Sequence, residues 1–156
     1  MRRACEAITR EVRKPRFPNL VGEWTSKYVL SEDLGHADVT EIVEIMEARG
    51  GVSIVSKSNP VEDYYVAFGR VHERQVIGEW RARVGEGDGK GSFLLTISPR
   101  GNIMYGYNTA PDETNAIVFT SWVLAKNDCS EEITKRLNWG HQQLRKNTLM
   151  PRETAQ

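Results

Sequence analysis

Between Pro18 and Lys126 the chain is a succession of short apolar or alternating runs, each closed by turn residues. The runs are Trp24–Leu30, Val52–Lys57, Tyr64–His72, Val76–Val84, Ser92–Ser98, Ile103–Asn108 and Ala116–Ala125. Ser58-Asn59-Pro60, Asp88-Gly89, Pro99-Arg100-Gly101 and Ala110-Pro111-Asp112-Glu113 punctuate them. Short strands with turn signals every ~8–12 residues belong to an all-β barrel or sandwich. Short links between consecutive antiparallel neighbours favour an up-and-down meander.

One segment reads two ways. In Asp38–Ala48, Val39, Ile42, Val43 and Met46 fall at helical spacing, with Asp38 and Glu41 as a capping box and Gly50-Gly51 as a stop. The same residues also alternate, with Glu41, Val43, Ile45 and Glu47 on one side and Ile42, Glu44 and Met46 on the other. The strand reading is preferred because its neighbours leave a slot in the meander. It raises the count to eight, enough to close a barrel around a small interior.

The ends differ from the middle. Cys5, Ile8 and Val12 share one face of a short helix over residues 3–13 that Pro15 and Pro18 terminate. After Lys126, Asp128 and Glu131 resemble a capping box, and Ile133, Leu137 and Leu144 share a helical face with Gly140. Residues 148–156 read as a loose tail. The chain of 156 residues therefore divides into a basic arm or helix (1–18), a barrel (19–126) and a C-terminal helix with tail (127–156). The expected fold is all-β: an eight-stranded antiparallel up-and-down barrel with short N- and C-terminal helices.

Formal charge sums to zero but is unevenly spread. Residues 1–16 carry six basic side chains against Glu6 and Glu11, residues 17–125 nine basic against fifteen acidic, and residues 126–156 six against four. An acidic body is a poor nucleic-acid binder, because that affinity comes from neutralising phosphates. No DNA binding is expected from the barrel. The basic ends read either as solvated tails or, for residues 1–16, as a docking arm for an acidic protein partner. No apolar run approaches the ~20 residues of a membrane-spanning helix. Cys5 and Cys129 are too far apart in sequence for a zinc-type spacing and do not make a disulfide framework. With no apolar core behind Arg2 and Arg3, a cytoplasmic location is expected.

Gly22-Glu23-Trp24 opens the first strand and Gly78-Glu79-Trp80 repeats it 56 residues later, with Leu20-Val21 and Val76-Ile77 as matching flanks. Met104-Tyr105-Gly106-Tyr107-Asn108 is a weaker echo. Period two puts Gly and Trp on one side of a strand, where glycine leaves room for an indole or for strong coiling. The tryptophan then plugs a barrel end. This pattern over residues 19–126 resembles the lipocalin (calycin) family, whose first strand carries Gly-x-Trp and whose eight-stranded barrel holds a small ligand. The family's second and third signatures are not evident. The twin motif, the Met-x-Gly stretch and the final Ser121-Trp122-Val123-Leu124 strand are more similar to cytoplasmic bacterial lipocalin-like barrels. The resemblance implies a sensor, and one such barrel type, joined to membrane helices, is a cyclic-oligonucleotide receptor in antiphage signalling.

Extending the parity of each strand gives the candidate interior. Trp24, Ser26 and Tyr28 follow from the first motif, and Trp80, Ala82 and Val84 from the second. Phe93, Leu95 and Ile97 form a third row, and Trp122 and Leu124 close the ring. Both faces of Tyr64–Arg70 are apolar, which leaves Tyr65 and Phe68 as alternatives. Thr96, Asn108 and Thr120 are further polar candidates inside or at the mouth. The ligand-binding set is Trp24, Ser26, Tyr28, Tyr65, Trp80, Phe93, Asn108, Thr120 and Trp122. Such polar and aromatic groups suit a polar heterocycle better than an acyl chain, and the absence of an assignable inward arginine weakens a phosphate-rich one. The same aromatics could equally fill a solid barrel.

Catalytic machinery is not assignable. Gly85-Glu86-Gly87-Asp88-Gly89-Lys90-Gly91 lacks the Gly-Lys-Ser/Thr ending of a phosphate loop and reads as a hairpin tip, with an anion nest or lid as the alternative. His36, His72 and His141 lack metal-ligand spacing, the acidic run Glu32–Asp38 lacks the calcium-loop order, and no metal or cofactor is expected. Glu44 is the strand acid expected to have a chance of facing inward, with a rim position as the alternative. The leading expectation is a non-enzymatic small-ligand sensor whose sharpest ligand is a cyclic nucleotide. The alternatives are a filled barrel acting through its surface and basic ends, or an isomerase- or hydratase-type barrel enzyme. A homodimer is compatible with either non-enzymatic reading.

Overall fold

A computed structural model describes residues 16–17, 19–29, 38–62, 64–83, 89–111, 117–126, 133 and 135–137. The expectations placed on residues 1–15, the acidic run 32–37, Val84, the glycines of 85–87, the capping pair Asp128/Glu131, Gly140, Leu144 and the tail lie outside them, as do both cysteines, His36 and His141.

Eight antiparallel strands close into one barrel in sequence order: β1 (Gly22–Val29), β2 (Asp38–Ala48), β3 (Gly51–Ser58), β4 (Tyr65–His72), β5 (Gln75–Ala82), β6 (Lys90–Ile97), β7 (Ile103–Pro111) and β8 (Ile117–Ala125). Residues 38–48 form a strand, paired with β1 from Gly22↔Ile45 to Val29↔Asp38. The ambiguity resolves because a strand there lets both flanking strands keep their ladders, whereas a helix would leave two open edges. β8 returns to β1 through Thr25↔Ala125 to Tyr28↔Trp122 and so removes the last edge. The architecture is the eight-stranded antiparallel up-and-down barrel expected from the sequence, and it is consistent with a lipocalin-like fold.

The two motif glycines serve different ends. Gly22 has φ +122°, a conformation that side chains rarely adopt. At Gly78 the conformation is ordinary, but a Cβ would lie 1.9 Å from the Phe68 carbonyl oxygen of β4. The strand coils hard there and a side chain would push the neighbouring backbone away.

Inward rows pack the end nearest Trp24 solidly. Val43, Ile45, Val52, Ile54, Val76, Leu95, Met104 and Leu124 are fully buried in one cluster with Trp24. The Trp24 indole donates to the Leu20 carbonyl at 2.8 Å, and Phe17 packs on the same cluster, so the segment before β1 caps this end. Lys126 ties that segment to the end of β8 by donating to the carbonyls of Asn19 and Val21. A separate cluster lies outside the barrel, where helical Ile133 and Leu137 bury against Ile103, Val123 and Ala125. Arg136 stacks on the Tyr105 ring at 4.6 Å in the same place.

Candidate functional site

At the end of the barrel away from Trp24 the interior turns polar. Register carries Ser26 of β1 opposite Glu41 of β2, and both are buried, Glu41 with 2% exposure. Glu41, not Glu44, is therefore the interior acid. Glu44 has the opposite parity and pairs with Lys57 on the outer wall at 2.9 Å. The alternation of residues 41–47 was legible, but both parities mix acids with apolar residues, so it does not say which faces in.

Neutral donors saturate both oxygens of Glu41. Oε1 accepts from the Ser26 hydroxyl at 3.1 Å and the Tyr65 hydroxyl at 2.5 Å. Oε2 accepts from the Ser56 hydroxyl at 2.6 Å and the Asn59 amide at 3.0 Å. The network extends outward: the Trp122 indole donates to Ser26 Oγ at 2.9 Å, and Asn59 Nδ2 also reaches the Tyr28 hydroxyl at 3.1 Å. Among the described residues no basic side chain contacts Glu41. Burial pushes its carboxyl above the ordinary value near 4.5, and the hydrogen bonds, led by Ser56, oppose that without overcoming it. Burial, with the Glu41 charge beside it, also holds the Tyr65 phenol well above the usual tyrosine range.

Ser56 and Asn59 reach one carboxylate because of a bulge. Val43 pairs with Ser56 but Ile42 pairs with Ser58, so Lys57 is an extra residue on β3. In a regular strand, positions three apart face opposite sides; the extra residue inverts the parity and turns Asn59 inward with Ser56. An Asx turn then fixes Asn59: Val61 N–H donates to its Oδ1 at 3.0 Å, and Glu62 N–H to its carbonyl at 3.1 Å.

Aromatic rings lie next to this cluster. Tyr65 meets Trp80 and Trp122 edge-to-face at 6.4 and 5.9 Å, and Phe93 meets Trp122 at 5.3 Å. Tyr65 is the inward member of the pair left open above, and Phe68 is 41% exposed on the outer wall. Trp80 donates its indole N–H to the Thr109 carbonyl at 3.2 Å, crossing β6 at Gly91. A Cβ on Gly91 would stand 2.7 Å from that nitrogen, so the indole needs glycine beneath it. Asn108 and Thr120 face each other across β7 and β8, with the Thr120 hydroxyl donating to Asn108 Oδ1. Thr96 has outward parity, between Gln75 and Tyr105, and does not join the interior.

Exposure is not symmetric around the barrel. On β1–β4 the inward residues stay buried up to this end. On β5–β8 Trp80, Gly91, Asn108, Ala110, Val118 and Thr120 are half-buried although they face inward. Inward-facing side chains of β5–β8 are thus half-buried at this end, next to buried Phe93, Tyr65 and Trp122. Of the nine candidate residues, eight gather here or in the polar cluster. Trp24 sits at the opposite, packed end. Sequence reasoning missed Glu41, Ser56 and Asn59. Outside the wall, a groove of about 680 Å3 borders Trp80, with Phe68, Arg81, Lys90 and Ile117 among its lining. Among the described residues no group of histidine, cysteine and acidic side chains could hold a metal ion, and no helix is long and apolar enough to cross a membrane. No family model, curated protein or solved structure matched this chain.

Proposed function

We propose that this barrel is a non-enzymatic small-molecule-binding protein that takes its ligand at the half-buried side bounded by Trp80, Asn108 and Thr120. The observation that supports this reading best is the half-buried state of the inward-facing polar and aromatic side chains Trp80, Asn108 and Thr120 at one end, where the other end is a mainly aliphatic cluster with only Val71 and Ile97 of its inward side chains partly buried. A barrel that serves only as a scaffold gains by filling both ends. Trp80 would offer a ring face, and Asn108 and Thr120 hydrogen-bonding groups at fixed height.

The cyclic nucleotide implied by the lipocalin-like resemblance would bring phosphates near a buried carboxylate that no described basic side chain offsets. An uncharged or cationic ligand fits the interior better, which favours a sensor of such a molecule over an antiphage cyclic-nucleotide receptor. The enzyme reading gains an interior acid in Glu41, but protein donors already engage both its oxygens.

A metabolite library screened by thermal shift tests the proposal. A ligand at a hundredfold its Kd contributes about 2.7 kcal/mol, or a rise of roughly 5–10 °C for a domain of this size. Hits should lose that shift in Trp80→Ala. Hits that stabilise both proteins equally would place the ligand elsewhere.

A second reading has its own observation. Ile77, Leu94 and Tyr107 adjoin across the outer faces of β5–β7, and Ile117 and Phe119 on β8 are 68% and 56% exposed. An apolar outer wall of this kind serves protein contact. Concentration-dependent sedimentation that Phe119→Glu abolishes would favour it.

A further inference from the structure

We infer that the ligand is an organic cation, a protonated amine or amidine attached to a planar or apolar body, selected by the buried Glu41 carboxylate together with the ring faces of Tyr65, Trp80 and Trp122. This inference rests on the small-molecule-binding reading above.

The argument is one of missing charge. Glu41 is enclosed by β1, β2, β3 and β4, and among the described residues every group that meets it is neutral: Ser26, Ser56, Asn59 and Tyr65. Among the described residues the titratable groups beside it are the phenols of Tyr65, which donates to it, and Tyr28, which shares Asn59 with it. A buried ionised carboxylate normally has a cationic partner, because neutral donors only partly repay the lost hydration. The half-buried Trp80 lies one ring away from it, through Tyr65. A cation seated there meets two attractions at once. It feels the carboxylate through a poorly screening interior, where a unit charge several ångströms off is worth about tenfold or more in affinity. It also sits over aromatic faces, which hold ammonium groups by their quadrupoles. No bond to Glu41 need be broken, since the field acts without contact.

A proton linkage follows. Burial raises the affinity of Glu41 for its proton, and a nearby cation lowers it again. Binding of the cation should therefore release a proton and tighten as pH rises through the raised carboxyl value. Binding of a neutral analogue should not.

The test uses three probes that share one ring and differ in charge: phenethylamine, 2-phenylethanol and phenylacetate. Each is titrated into 15N-labelled protein while the indole N–H resonances of Trp80 and Trp122 are followed. Phenethylamine should bind about tenfold tighter than the alcohol, with phenylacetate the weakest. Glu41→Gln should bring amine and alcohol to parity. Should Glu41→Gln not fold, wild-type titrations at pH 5 and pH 8 decide: the amine must tighten with pH and the alcohol must not. Equal binding of amine and alcohol, a preference for phenylacetate, or a flat amine profile with pH would overturn the charge selection and leave the binding site standing. No response of Trp80 to any probe would overturn the binding site, and this inference with it.

Discussion

Glu41 stands inside the barrel with no compensating charge among the described residues, and its effect on stability therefore has an unusual sign. Because its carboxyl titrates above the ordinary value near 4.5, the folded protein keeps a proton that the unfolded chain releases at lower pH. Glu41 favours folding below that window, and the contribution is lost as pH rises from about 4.5 through the raised value. Glu41→Gln keeps the shape and cannot ionise. Urea denaturation from pH 4 to pH 8 should show the wild type losing stability relative to Glu41→Gln as pH rises; a constant difference would mean that Glu41 titrates normally. Asn59 is the second residue to test. It donates to Glu41 and to Tyr28 and accepts from Val61 N–H. Asn59→Ala strips one donor from the buried carboxylate and unlocks the turn, and should cost about 2 kcal/mol, read from the denaturation midpoint. An Asn59→Ala midpoint within experimental scatter of wild type would show that the cluster relaxes around the loss.

At the scale of the strand, the twin Gly-x-Trp motif set the parity of β1 and β5 from sequence alone, and its first row, Trp24-Ser26-Tyr28, faces inward as expected, as does the separately assigned Phe93-Leu95-Ile97 row of β6. Two things were not legible. The alternation in β2 carries acids on both parities, and only its pairing with β1 decides that Glu41 is the one inside. The bulge at Lys57 leaves no mark in hydrophobicity, so Asn59 reads as an ordinary turn residue before Pro60. Register and bulges are tertiary facts, set by what the neighbouring strand offers. The ambiguity between Tyr65 and Phe68 has the same origin, because both faces of β4 are apolar: one meets the core and the other the exposed outer wall. The motif glycines give the element-scale prediction. Gly78→Ala places a methyl group 1.9 Å from a neighbouring carbonyl and should cost about 3 kcal/mol. Gly22→Ala meets nothing nearer than 3.9 Å and is opposed only by its φ, at about 1–2 kcal/mol. Equal losses in the two urea titrations would contradict the separate roles assigned to them.

Across the whole molecule the barrel is built from two unlike ends. One is packed with aliphatic side chains and stoppered by Leu20 and Trp24. The other carries a saturated polar cluster on β1–β4 and half-buried side chains on β5–β8. The helical residues after β8 belong to the wall and not to the mouth. Leu137→Ala should therefore cost about 2–4 kcal/mol of stability through its buried contacts, while leaving small-molecule binding untouched. A Leu137→Ala protein that loses ligand without losing stability would move the helix into the site. Native mass spectrometry of the protein purified from its own host, beside a denatured control, tests the central claim most directly. A mass increment of small-molecule size that disappears on denaturation, and that Trp80→Ala fails to retain, is the predicted result. A bare chain mass under gentle conditions, with no uptake from the host's own metabolite extract, would contradict it.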